Sequence, residues 1–82
     1  MMNDTELTMG NIYFILNNLD STKEDTEYGC DLIKRYIKKI TNLSDDKVEK
    51  VFGYCWSEGH SAGIYEVFSY AIELCDLLKA VL

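Results

Sequence analysis

The apolar residues of this chain recur at helical spacing along nearly its whole length, and no proline interrupts them. The first stripe has i, i+3, i+4, i+7 spacing and predicts an amphipathic helix from about residue 5 to residue 19. It consists of Ile12, Ile15, Leu16 and Leu19. With 82 residues, the chain is far shorter than the roughly 250 residues at which chains divide into several cores. We therefore expect a single all-α domain, a small bundle of three or four helices.

The next helices are indicated by polar residues that suit helix N-termini. Ser21 followed by Glu24 has the spacing of a capping box, so a second helix is expected to start near residue 22 and to close at Thr41 and Asn42. Ser44 is a suitable N-cap for a third helix. The apolar stripes are Tyr28 or Gly29, Leu32, Ile33, Tyr36, Ile37 and Ile40 in the second helix, and Val48, Val51, Phe52 and Cys55 in the third.

The sequence leaves open whether residues 44–82 form one helix or two. A continuous helix would be about 58 Å long, whereas a domain of this size is only roughly 30 Å across, so continuity would require a second chain. Interior glycines cost about 1 kcal/mol each and favour a kink or break within residues 57–63. Against a break, the helical register continues through this segment. Its small residues would then admit a neighbouring helix closely; they are Gly59, Ala62 and Gly63.

The formal net charge of −6 disfavours general binding to a phosphate backbone, which requires clustered cations. Half of the eight basic residues nevertheless form one stripe, namely Lys34, Arg35, Lys38 and Lys39. One interpretation is a phosphate-contacting surface for a nucleotide or nucleic acid. The other, which we favour, is a solvated helix face balanced by acidic residues. The 14 acidic residues themselves suit helix N-termini and solvated faces better than a mimic of DNA.

Compartment and redox state follow from three features of the sequence. No window of 18 apolar residues could cross a bilayer, and the acidic N-terminus lacks the basic and apolar regions of a secretion signal. Cys30, Cys55 and Cys75 match neither a disulfide framework nor a CxxC metal clip. We expect reduced, mostly buried thiols in a cytoplasmic protein. The alternative is an intermolecular disulfide or a reactive thiol.

Two short motifs invite an enzymatic interpretation that the rest of the sequence does not support. Residues 59–63, GHSAG, match the G-x-S-x-G elbow of hydrolases, but the only histidine lies inside the motif and the chain is too short for the supporting sheet. Cys55 and His60 would lie about 140° apart on a helix, and a structural zinc site needs four ligands. We therefore expect no catalytic residue, no metal and no cofactor.

Aromatic residues are numerous for a chain of this size, with six tyrosines, three phenylalanines and one tryptophan. Those around the glycine-containing segment cannot all enter one small core, because their helical positions differ too widely. Exposed amphipathic aromatics are typical of protein–protein contacts. The sequence therefore predicts a partner-binding surface formed by Tyr54, Trp56, Tyr65 and Tyr70.

Residues 56–67, WSEGHSAGIYEV, resemble a stretch found in small uncharacterised early proteins of tailed bacteriophages. An aromatic residue is followed there by a charged-Gly-His-Ser-x-Gly step and by Glu-Val ahead of an apolar helix. The resemblance covers about residues 52–75 and brings no catalytic residue with it. It implies a protein that binds a host protein, such as a nuclease or a defence protein, and inhibits or redirects it.

The sequence thus predicts a small acidic, non-enzymatic protein-binding module, dimeric or bound to another protein. One alternative is a nucleotide or nucleic-acid binder that uses the basic stripe. The other is a self-assembling structural helical module.

Overall fold

The computed structural model describes residues 5–81, and these form four α-helices without a β-strand. The helices are α1 (Met9–Asn17), α2 (Lys23–Thr41), α3 (Asp45–Gly59) and α4 (Ile64–Val81), with a short 3₁₀ turn at His60–Ala62 between α3 and α4. The predicted all-α bundle is confirmed. The expectation that the N-terminus is not a secretion signal falls largely on residues 1–4, which lie outside the described residues.

Helix α1 is shorter at both ends than the apolar spacing predicts. It begins at Met9 because the side chain of Thr8 caps it, accepting the backbone N–H of Asn11 at 3.2 Å. It ends at Asn17, and Asn18 occupies the C-cap position. An apolar stripe marks which residues face the core, but the capping groups decide where the helix begins and ends.

The N-terminus of α2 corrects the predicted capping box by one residue. Thr22, not Ser21, is the N-cap, and its hydroxyl accepts the backbone N–H of Asp25 at 3.1 Å. The carboxylate of Asp25 in turn accepts the backbone N–H of Asp20 at 2.8 Å. Ser21 and Glu24, and also Thr22 and Asp25, have the three-residue spacing of a capping box. In the structure the pair at this helix start is Thr22 and Asp25. At the other end α2 closes at Thr41, as predicted, with Asn42 in the left-handed conformation.

The structure answers the question that the sequence leaves open: α3 and α4 are two separate helices, and the chain reverses direction within residues 57–63, where the glycines favoured a kink or break. Gly63 has φ 111° and ψ 166°, a region that is essentially restricted to glycine. Its carbonyl oxygen accepts the backbone N–H groups of Glu66 and Val67, which opens α4. The longest dimension of the molecule is 36 Å, too short for the roughly 58 Å of a continuous helix.

Helix α4 packs against each of the other three helices and forms the centre of the bundle. Phe68, in its first half, is fully buried between Tyr13 of α1 and Tyr36 of α2. Both ring pairs are edge-to-face, with centroids 4.8 Å and 5.2 Å apart. The core contains Leu7, Ile12, Leu16, Leu32, Ile33, Tyr36, Ile37, Val48, Phe52, Cys55, Val67, Phe68, Ala71 and Cys75.

Candidate functional site

A groove of about 390 Å³ lies at the end of the bundle where α3 turns into α4. The α1–α2 connection forms one side of this end groove, and the α3–α4 connection forms the other. Leucine and isoleucine side chains supply apolar surface, and aspartate, serine and threonine supply polar groups. The lining residues are Leu16, Leu19, Asp20, Ser21, Thr26, Trp56, His60, Gly63, Ile64 and Tyr65.

Trp56 and His60 form a stacked pair in the lining. Their rings stack with centroids 5.4 Å apart and planes inclined by 12°. Nδ1 of His60 lies 2.8 Å from the backbone carbonyl oxygen of Trp56. Because a carbonyl can only accept, Nδ1 donates this hydrogen bond and Nε2 remains available toward solvent. The exposed imidazole therefore pairs with Trp56, whereas Cys55, its candidate catalytic partner, is completely buried.

Tyr65 is held at the other side of the end groove by a tyrosine that sequence reasoning did not single out. Its ring contacts that of Tyr13, with centroids 4.6 Å apart, and 43% of Tyr65 remains exposed. The hydroxyl groups of Tyr13 and Ser69 are hydrogen-bonded at 2.8 Å. Tyr13 precedes Leu16 by three residues, and this helical spacing was the only feature of the local sequence that indicated that Tyr13 faces the bundle.

The four aromatic residues predicted to form one partner-binding surface are divided between two surfaces. Trp56 and Tyr65 line the end groove. Tyr54 and Tyr70 instead line a shallower groove of about 190 Å³ between α3 and α4. Tyr54 and Trp56 lie on opposite sides of α3 because they are two residues apart, and the chain reversal brings Tyr70 to the first and Tyr65 to the second. We call Tyr54, Tyr70, Leu74 and Leu77 the α3–α4 strip.

The small residues of the turn have three different environments. Gly59 is buried, and a Cβ there would lie 2.8 Å from the backbone nitrogen of Val67. Gly63 supplies the positive φ. Ala62 is exposed within the 3₁₀ turn, and Ser61 beside it is exposed as well. The G-x-S-x-G match therefore lies in a helix-to-helix turn, whereas a hydrolase elbow joins a strand to a helix.

The basic stripe is engaged within the molecule. Lys34 forms an ion pair with Glu49 at 3.1 Å, and its Nζ lies 4.9 Å from the centroid of the Phe52 ring. The other three cations also have intramolecular partners. Arg35 lies 4.0 Å from Asp31, Lys38 pairs with Asp45, and Lys39 donates to the carbonyl oxygen of Leu7 at 3.0 Å. A phosphate would compete with these contacts.

The three cysteines are free thiols, and two of them are buried in the core. Burial raises the pKa of Cys55 to about 11. Burial, followed by the neighbouring Cys55 and Asp76, raises the pKa of Cys75 to about 11. Burial also raises the pKa of the half-buried Cys30. Thiols that resist ionisation are poor nucleophiles and metal ligands, and no group of metal-binding side chains occurs within residues 5–81.

The raised pKa values of Cys55 and Cys75 predict that the protein loses stability at alkaline pH. Below pH 9.0, the ordinary pKa of a thiol, both the folded and unfolded states keep the protons. Between pH 9.0 and about 11 the unfolded state ionises first, so the free energy of unfolding should fall. Urea denaturation should show a smaller fall over this interval in the Cys55→Ala, Cys75→Ala double variant. Equal falls in both proteins would contradict the assignment.

No protein-family model, curated protein or solved structure matches this chain. Among the helices within residues 5–81, none combines the length and apolar composition needed to cross a membrane.

Proposed function

We propose that this chain is a small acidic, non-enzymatic protein-binding module whose partner docks in the end groove. The observation that carries the proposal is the convergence of Trp56 and Tyr65 on a concave surface lined by both apolar and polar side chains. Residues that dominate binding energy at interfaces are enriched in tryptophan and tyrosine and occupy such pockets.

The chemistry of the end groove favours a protein partner that inserts an apolar or aromatic side chain. Leu16, Leu19 and Ile64 offer apolar contact. Ser21 offers a hydroxyl group to the backbone or polar side chains of the partner, and the hydroxyl of Thr26, which donates to the carbonyl oxygen of Thr22 at 2.9 Å, can accept a hydrogen bond from the partner. Tyr65 is already ordered by Tyr13, and Trp56 by His60, so less side-chain entropy is lost on binding.

The similarity of residues 56–67 to phage early proteins suggests the kind of partner. We infer a protein of a bacterial host, in defence or in nucleic-acid processing, which this chain inhibits or modulates in the host cytoplasm. Direct binding of nucleic acid by the basic stripe has less support. Each of its four cations already contacts an intramolecular acceptor, and the nearby carboxylates of Glu49, Asp31 and Asp45 would repel a phosphate.

Filling the end groove tests this proposal without removing a core contact. Ser21 is exposed, and Ser21→Trp would place a large ring in the groove. We expect a bacterial protein captured by the immobilised wild-type chain to bind this variant at least about tenfold more weakly, a loss of roughly 1.4 kcal/mol. Capture from a bacterial lysate, quantified by mass spectrometry, measures the change.

A matched control is Asp46→Trp, which adds the same side chain at an exposed position in the first turn of α3, far from the groove. This variant should capture the partner as the wild type does. Equal capture by both tryptophan variants, or no protein captured by the wild type, would contradict the proposal.

A further inference from the structure

We propose, resting on the proposed function, that the partner segment that enters the end groove is basic, with an arginine or lysine next to its apolar anchor. The proposed function uses the shape and the aromatic lining of this groove. The distribution of charge along the bundle adds the chemistry of the segment that fits it.

The excess negative charge lies in the half of the bundle that contains the end groove. This half consists of the α1–α2 and α3–α4 connections and the adjoining halves of α2, α3 and α4. Its single lysine, Lys23, stands against seven acidic residues, namely Asp20, Glu24, Asp25, Glu27, Asp31, Glu58 and Glu66. The rest of residues 5–81 has six acidic and seven basic residues. The groove therefore lies at the strongly acidic end of a molecule whose other end is nearly neutral.

Neither helix dipoles nor ion pairs offset this charge. Helices α2 and α4 begin at this end and contribute partial positive charge, but α1 and α3 end there and contribute partial negative charge, so the four termini nearly cancel. Asp31, 4.0 Å from Arg35, is the one acidic residue of this half with an ion pair inside the described range. Lys23 does not line the groove, and Glu24 and Asp25 follow it directly. A field of one sign over such an end attracts a partner of the opposite sign.

Asp20 gives the field a point of direct contact inside the end groove. It is exposed, it lines the groove, and its carboxylate forms no ion pair with any residue of the described range. Glu58 does not take this part, because it lies on the same face of α3 as Tyr54, toward the α3–α4 strip. Among the described residues, Asp20 is thus the one acidic residue of the lining, and the other acids act at longer range.

The aromatic lining suits the same kind of side chain. Trp56 and Tyr65 line the groove together with Asp20. Aromatic rings attract the cationic groups of arginine and lysine, and a carboxylate binds a guanidinium through charge-assisted hydrogen bonds. A basic side chain in the groove gains both contacts, whereas an acidic one would meet the carboxylate of Asp20 and the negative field around it.

Trp56 is the only tryptophan of the chain, so its fluorescence reports on occupancy of the groove. The probes are two acetylated peptide amides, Arg-Leu-Arg and citrulline-Leu-citrulline, because citrulline has the shape of arginine without its charge. We expect the arginine peptide to change the fluorescence with a dissociation constant at least about tenfold lower than that of the citrulline peptide. Raising the salt concentration from about 0.01 M to about 1 M should reduce this preference, because the Debye length falls from about 30 Å to about 3 Å.

Two variants with the same net charge locate the effect. Asp20→Lys should abolish the preference for the arginine peptide. Asp46→Lys makes the same change at an exposed position in the first turn of α3, at the opposite end of the bundle, and should keep most of the preference. Circular dichroism establishes that both variants retain their helices.

Equal affinity of the wild type for the two peptides would overturn the basic segment, as would no fluorescence change with either peptide. An equal loss of preference in both variants would overturn it too, because only net charge would then matter. The capture experiment with Ser21→Trp tests the end groove itself. A partner that is captured through the groove while the arginine peptide shows no advantage would leave the proposed function standing and contradict only its basic segment.

Discussion

Gly59→Ala is expected to destabilise the fold by about 3 kcal/mol, because its new methyl group would meet backbone and not a movable side chain. The Cβ would lie 2.8 Å from the backbone nitrogen and 3.0 Å from the Cα of Val67. Helices α3 and α4 would have to move apart, and overpacking of this kind costs about 1–3 kcal/mol or more. The backbone of Gly59 itself, at φ −116° and ψ −15°, lies in the right-handed region, so the predicted cost is steric.

Gly53→Ala is the matched control, since both glycines lie in α3. A Cβ at Gly53 has no neighbour within 4 Å. Alanine in an open helix interior should stabilise the protein by about 0.5–1 kcal/mol. Urea denaturation of the two variants should therefore give changes of opposite sign. A Gly59→Ala protein as stable as the wild type would show that α3 and α4 do not approach as described.

The second large effect is expected for Phe68→Ala, which should cost about 3–5 kcal/mol. Phe68 is fully buried and joins three helices through its contacts with Tyr13 and Tyr36. The substitution would remove both edge-to-face pairs and leave a cavity at the centre of the bundle. This loss is a large fraction of the roughly 4–12 kcal/mol total stability of a domain of this length, so the variant should unfold at a much lower urea concentration than the wild type.

Phe14→Ala is the control that removes an exposed phenyl ring. It tests whether the loss of stability in Phe68→Ala comes from the burial of Phe68 and not from the loss of a phenyl ring as such. Phe14 is 71% exposed on α1. Surface changes of this kind stay within about 0.5 kcal/mol. Thermal and urea unfolding followed by circular dichroism would measure both variants. Similar stability changes at the two positions would contradict the core that we describe.

The helical class was predictable from the apolar spacing, but the reversal between α3 and α4 was not decided by it. The helical register runs through residues 57–63 without a visible shift. The reversal depends on the backbone conformation of Gly63 and on the close packing of Gly59 against α4. Both depend on α4 returning along α3, a tertiary contact that a local pattern does not contain.

The candidate sites show the same division between local and long-range information. Helical position alone indicated that some aromatics must be exposed. The two-residue spacing of Tyr54 and Trp56 already placed them on opposite sides of α3. Helical position did not indicate that Tyr65 would join Trp56 and that Tyr70 would join Tyr54, because those pairings follow from the reversal. Likewise, the partners of the basic stripe include Glu49 and Asp45 on a different helix. The pairing of Lys34 and Lys38 could therefore not be predicted from α2 alone, whereas Asp31 lies four residues before Arg35 on α2 itself.

The central claim, that a protein docks in the end groove, is tested most directly by site-specific photo-crosslinking in bacterial cells. The crosslinker benzoylphenylalanine replaces Tyr65 in one variant and Phe14 in the other. Phe14 is the more exposed, at 71% against 43%, so random collisions favour the control. We predict one bacterial protein crosslinked at position 65 and not at position 14. No specific crosslink at position 65, or the same products at both positions, would contradict the account.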